Sequence, residues 1–171
     1  MKLFRKNRKE DIHALLIKCI NENKEGFYRL AYSYVKNQED ALDIIQESIE
    51  KALICIETIR KVDAIKSWFY KIVVCTSIDF LRKKKKIKYI DTDKFNCLDY
   101  GTHDSYEYID IQGALNQLPM QYKTIIILRF FEDLKIEEIA EIVEENVNTV
   151  KTRLYRGLKL LRTILTEGEI V

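Results

Sequence analysis

Apolar residues recur at three- and four-residue spacing along most of this chain, a period that builds amphipathic helices and not strands. Ile12, Leu15, Leu16, Cys19 and Ile20 follow it, as do Phe27, Leu30, Ala31, Tyr34 and Val35. It resumes at Ala41, Ile44, Ile45, Ser48, Ile49 and Ala52 after an Asn37-Gln38 break. Asn37 or Gln38 is predicted to start that helix, with Glu39 and Asp40 in its first turn complementing the dipole. Ile65, Trp68, Phe69, Ile72, Val73, Thr76, Phe80 and Leu81 mark a further helix over residues 64–84. That segment is apolar around much of its circumference, which predicts a place at the centre of a bundle. Only five Gly and one Pro occur in 171 residues, so the types that most strongly interrupt helices are nearly absent.

The pattern then lapses. Residues 89–106 are rich in Asp, Thr, Asn, Gly and Ser and hold no sustained period, which reads as a flexible linker between two domains. Beyond it, residues 109–118 are predicted helical. Pro119 is predicted to open the next helix from the first-turn position that proline tolerates, with Tyr122, Ile125, Ile126, Leu128 and Phe130 continuing it. The fold class is all-α: two small helical domains, 1–88 and 107–171, joined by the linker 89–106.

Residues 135–162 carry a helix-turn-helix pattern. Ile136, Ile139, Ala140 and Val143 fall on one face, Glu144-Glu145-Asn146 interrupts, and Val147, Val150, Leu154 and Leu158 resume. Ala140 is the small residue where two steeply crossing helices approach. Asn148 is expected to cap the second helix. Its outer face then presents Lys151, Thr152, Tyr155, Arg156 and Lys159, types that pair with phosphates and base edges in duplex DNA.

Charge supports a polyanionic partner. The net charge of +2 hides an excess in residues 1–90, where 20 Lys and Arg face 12 Asp and Glu. Residues 148–162 hold five basic residues and no acid. Two separated basic regions suggest nucleic acid touched at two places. Cys19, Cys55, Cys75 and Cys97 lie far apart and only His13 and His103 accompany them, so no zinc-site spacing exists and reduced thiols are expected. No apolar run reaches membrane-spanning length, and a cytoplasmic location is expected.

Four segments together resemble the extracytoplasmic-function (group 4) sigma factors of the bacterial sigma-70 family. Residues 137–143 and 148–157, with Ala114 to Pro119 and Leu128-Arg129-Phe130 upstream, resemble sigma domain 4, the promoter-reading helix-turn-helix. Residues 40–47 through Lys51-Ala52 resemble the polymerase-binding helix of sigma domain 2, and 67–72 through 78–83 resemble its promoter-opening helix. The resemblance implies a sigma factor that is not an enzyme and uses no cofactor, metal or small-molecule substrate. It implies that Asn148, Thr149, Lys151, Thr152, Arg153, Tyr155, Arg156 and Lys159 read the −35 duplex. It assigns the −10 region to Arg60, Lys61, Lys66, Trp68, Tyr70, Lys71, Cys75, Arg82, Lys83, Lys84 and Lys85. Asp40, Asp43, Ile44, Gln46 and Glu47 would meet RNA polymerase core, whose largest-subunit clamp and flap are the implied docking points. Promoter DNA and an anti-sigma factor, membrane-anchored by family habit and able to hold the chain at the membrane, complete the implied partners.

Trp68 and Phe69 carry a second reading as core residues, by the packing preference of large aromatics. Three departures from the family pattern stand out. Cys75 replaces an Asn near the pocket for a flipped −10 base. Glu144-Glu145 replace the Gly-containing turn, which predicts a reshaped or strained backbone. Lys135 replaces the Ser or Thr that would cap the first helix, a task expected to pass to Asp133. The competing functional reading is a helix-turn-helix repressor or activator that acts at an operator without joining polymerase. It leaves the Lys83–Lys86 run and the domain 2 resemblance unexplained. A nuclease built on Asp40, Asp43 and Glu47 lacks further converging ligands.

Overall fold

The computed structural model describes residues 2–59, 61–91 and 111–168, with side chains described within 11–59, 61–85 and 111–166. Among these residues the chain is helical, without strands, and two helical domains are present. The first contains α1 (Lys2–Val35), α2 (Gln38–Cys55) and α3 (Ile65–Asp91). The second contains α4 (Ile111–Gln117), α5 (Met120–Ile126), α6 (Ile136–Val143) and α7 (Val147–Gly168).

α1 joins the two apolar runs read from the sequence but kinks at Asn23 (φ −117°, ψ 16°). There the Asn23 side-chain amide donates to the Cys19 carbonyl at 2.8 Å, a side-chain bond that competes with the helical ladder. Lys36, in the left-handed region (φ 53°), ends the helix. Asn37 then caps α2, its Oδ1 accepting from the Asp40 amide at 2.9 Å, as the sequence predicts.

α3 occupies the centre: it packs on α1 and α2 on one side and on α6 on the other. Phe27 of α1 meets Phe69 and Tyr70 of α3 with ring centroids 4.6 and 4.5 Å apart, and all three rings are buried. α3 also runs on to Asp91, into the stretch read as linker; the remainder of that stretch, with residues 109 and 110, lies outside the described residues.

In the second domain Pro119 stands at the N-cap of α5 and not inside its first turn, with extended ψ of 140°. One π-helical turn, Ile127–Phe131, follows α5, and the Glu132 backbone N–H closes it by donating to the Ile127 carbonyl at 3.2 Å. Asp133 (φ 52°) then reverses the chain into α6. Gly157 is where α7 crosses α5: a Cβ there would lie 3.0 Å from Tyr122 Cβ and 3.1 Å from Ile126 Cδ1, so any larger residue would push the helices apart.

Candidate nucleic-acid interface

α6 and α7 form the helix-turn-helix. Ile139, Ala140, Ile142, Val150 and Leu154 are buried between and beneath them. The cap of α7 is not Asn148 but Asn146, whose Oδ1 accepts from the Thr149 amide at 2.8 Å, so that Val147 is already helical. Two Asn residues two positions apart offer the same chemistry, and the one that lets Val147 and Val150 both face α6 wins. At the start of α6, Lys135 is the N-cap and its backbone N–H donates to Glu138 Oε2 at 2.8 Å. Asp133 does not cap: its backbone is left-handed (φ 52°), it is exposed, and Lys135 holds the cap position.

The turn between the helices carries the strain that the missing glycine predicts. Glu144 takes φ 55° and ψ 42°, the left-handed C-cap position where glycine is usual. Its carboxylate reaches Lys71 Nζ at 2.8 Å, and that bond holds its pKa below the ordinary glutamate value. Glu145 pairs with Arg153 at 2.8 Å, so Arg153 and Thr149 are half-buried supports of the turn more than outward readers.

The rest of the α7 set is presented outward. Asn148, Lys151, Thr152, Tyr155, Arg156 and Lys159 are exposed, with Tyr155 at 72%. A rigid helix thus offers three cations and a phenol on one acid-free face. Duplex phosphates need such charge at fixed spacing, and base edges need donors that reach beyond it.

The basic and aromatic residues of the first domain are arranged differently. Phe69 and Tyr70 are fully buried, and Trp68 is half-buried, so the core reading holds for Phe69 and in large part for Trp68. Tyr70 cannot present its ring to DNA here: its hydroxyl donates to Glu132 Oε2 of the second domain. Burial, then that carboxylate, raise its pKa above the ordinary phenol value. Lys66 donates to the Glu132 carbonyl at 3.2 Å, and Lys71 is held by Glu144. Trp68 and Lys71 line a cleft of about 610 Å³ against Glu141, Ile142 and Glu144. Cys75 lines a neighbouring cavity of about 300 Å³ with Val143 and Arg153, and its thiol pKa is raised by burial and by Glu144. Lys61 is exposed, and Arg60 lies outside the described residues.

The end of α3 meets α2. Lys84 bonds Asp40 Oδ2, Lys83 lies 3.7 Å from Glu47, and Arg82 lies 3.7 Å from Asp79 on its own helix. Lys51 hydrogen-bonds Glu47 at 2.9 Å and lowers its pKa. The acids read as a docking face are therefore partly neutralised by the basic run, a pairing that sequence reasoning missed. Asp43 and Gln46 remain exposed, as does Lys85. Ile44 is a correction: it is fully buried in the core of the first domain, so its side chain anchors α2 and cannot reach a partner. Among the described residues no group of His, Cys, Asp and Glu is placed to hold a metal ion.

Comparison with known proteins agrees with this arrangement. The Sigma-70 region 2 model matches residues 19–87, and the Sigma-70, region 4 model matches residues 108–161. RNA polymerase sigma factor SigV of Bacillus subtilis (strain 168) is 61% identical over 163 residues, covering 95% of this chain and 98% of that protein. ECF RNA polymerase sigma factor SigW of the same organism is 30% identical, covering 84% of this chain and 85% of SigW. Among solved structures, sigma factor RpoE of Bartonella quintana, in complex with the anti-sigma factor NepR, superposes with a TM-score of 0.69 at 21% identity, covering 94% of this chain and 98% of that one. CnrH in complex with the cytosolic domain of CnrY gives 0.65 at 15%, covering 89% and 88%. These two share the fold. With both regions matched in order and a relative this similar along nearly its whole length, the chain belongs to the sigma-70 family, in the extracytoplasmic-function group of RNA polymerase sigma factors.

Proposed function

We propose that this sigma factor, which directs RNA polymerase to promoters, divides the reading of DNA between its two domains. The outward face of α7 lies in the major groove of the −35 duplex, with Arg156 and Lys151 at base edges or phosphates and Lys159 on the backbone. Residues 60–85 hold the −10 region: Lys61, Lys66, Lys71 and Lys85 attract the strand, and Trp68 and Cys75 border the place for an extruded base. Asp43, Gln46 and Glu47 of α2 dock on the polymerase clamp. Residues 1–88 act as the docking and melting unit, 89–106 as the tether, and 107–171 as the duplex reader. Joining two weak binders by a tether raises their combined affinity through effective concentration.

The observation that carries this reading is the acid-free exposed face of α7 in a chain whose other domain matches the sigma-70 region 2 model. An anti-sigma factor, anchored at the membrane, would hold the chain inactive; the structural neighbour RpoE is a sigma factor in complex with an anti-sigma factor. No helix among the described residues is long and apolar enough to cross a membrane, and the cytoplasm, where polymerase and DNA are found, is the proposed place of work. Mixing the chain with sigma-free core polymerase and a cognate promoter fragment should yield specific transcripts. DNA binding without core-dependent initiation would instead make it an operator-binding regulator.

A further inference from the structure

Glu132 is a charged residue of the second domain that is buried in the first, at 7% exposure. Its Oε1 accepts from Arg29 at 2.6 Å, its Oε2 accepts from the Tyr70 hydroxyl, and its backbone carbonyl accepts from Lys66 at 3.2 Å. Arg29 also lies over the Phe131 ring at 5.6 Å. The space for the carboxylate exists because residue 26 is glycine: a Cβ there would overlap Glu132 Oε2 and lie 2.5 Å from the Tyr70 hydroxyl. On the other side, the π turn and the left-handed Asp133 aim Glu132 outward from its own domain. Such backbone irregularities persist only where the surroundings over-determine them. A charge removed from water needs this full set of partners, since a carboxylate left unpaired there would be strongly unfavourable.

We propose that Gly26, Arg29, Lys66 and Tyr70 form a carboxylate-binding site on the first domain, that Glu132 is its resident ligand, and that its occupation latches the two domains together. The latch has a consequence, which rests on the division of labour proposed above. With Glu132 seated, the helix-turn-helix packs on α3, Lys71 is paired to Glu144 and Tyr70 is buried against Glu132, while Cys75 stays exposed beside them. The second domain thus occupies the middle of the −10 set, at Lys66 and Lys71, and leaves Lys61 and Lys85 exposed. Bringing a DNA strand to Lys66 and Lys71 then requires Glu132 and Glu144 to leave, so in the free chain the second domain competes with the strand for this part of α3. Tyr34–Thr124 at 2.8 Å lines the same interface and would part with it.

Solution X-ray scattering on the full-length chain, without polymerase or DNA, tests the latch. Glu132→Gln removes the charge at constant shape, and Gly26→Ala fills the site without altering Glu132. Each is expected to raise the ratio of open to closed molecules at least tenfold, about 1.4 kcal/mol, seen as a larger radius of gyration with unchanged helical circular dichroism. Lys71→Ala, which breaks only a solvent-exposed pair, should shift the ratio by less. Should Gly26→Ala lose helicity, Glu132→Gln alone decides. A wild-type profile from Glu132→Gln, or a wild-type chain already extended, would overturn the proposal. Neither result bears on promoter recognition, which the transcription assay addresses separately.

Discussion

Lys123 of α5 is only 2% exposed, and no carboxylate among the described residues lies against it. Its Nζ donates over long distances to the Ser33 carbonyl (3.4 Å) and Asn116 Oδ1 (3.5 Å), and burial, reinforced by the nearby Lys36, lowers its pKa from 10.5 to about 8. The sign follows from linkage. A lysine whose folded pKa is depressed makes the unfolded chain the better proton binder between about pH 8 and 10.5, so this group costs stability below that window and ceases to cost it above. At pH 7 the cost is about 3 kcal/mol, since each tenfold loss of proton affinity corresponds to about 1.4 kcal/mol. Lys123→Met keeps an unbranched side chain one heavy atom shorter, removes the charge, and gives up two weak hydrogen bonds worth about 1 kcal/mol together. The variant should therefore be more stable than the wild type by about 2 kcal/mol at pH 7 in urea unfolding, and the advantage should vanish near pH 10 as the wild type sheds its proton. Tyr34, whose pKa burial raises to about 12, titrates in both proteins and cancels in the difference. A variant less stable than the wild type at pH 7, or an advantage independent of pH, would refute the reasoning.

Other consequences can be checked singly. Glu144→Gly should relieve the left-handed backbone at the turn and stabilise the chain by up to about 1 kcal/mol, offset by at most the exposed Lys71 pair, read as a raised thermal midpoint. Arg156→Ala should weaken binding to a −35 duplex by about 1–3 kcal/mol while leaving random duplex nearly unchanged; equal loss on both would remove it from the base readers. Lys85→Ala should weaken promoter binding by the holoenzyme irrespective of sequence and flatten the salt dependence by about one counterion, measured as the slope of log K against log salt.

The helices are legible in the sequence because burial on one face imposes a period that can be counted. Asn37 can be found as a cap because its side-chain acceptor stands directly before an acidic first turn. The strain at Glu144 is legible too, as the absence of a glycine at a position that needs positive φ. How the domains meet is not. Arg29 and Glu132 are 103 residues apart, and nothing in either neighbourhood marks them as partners. Glu132 stands between Phe131 and Asp133 like any loop acid, and Gly26 reads as an ordinary interruption of a helix until the carboxylate beside it is seen. Lys123 does offer a signal: a lone cation next to Tyr122 and the run Ile125–Leu128, in a segment with too few polar positions to keep a wet face. Resemblance assigns Tyr70 and Ile44 outward roles, although the spacing of Tyr70 to Val73 and Val74, and of Ile44 to Ala41 and Ser48, already places them on buried faces.

The division of promoter reading between α7 and α3 is tested most directly by photo-crosslinking within the assembled holoenzyme on a promoter fragment. A photoreactive residue in place of Tyr155 should crosslink duplex DNA at the −35 element, and one in place of Lys71 should crosslink the strand at the −10 element. Crosslinks from both positions to the same element, or from Tyr155 only to polymerase, would contradict the account.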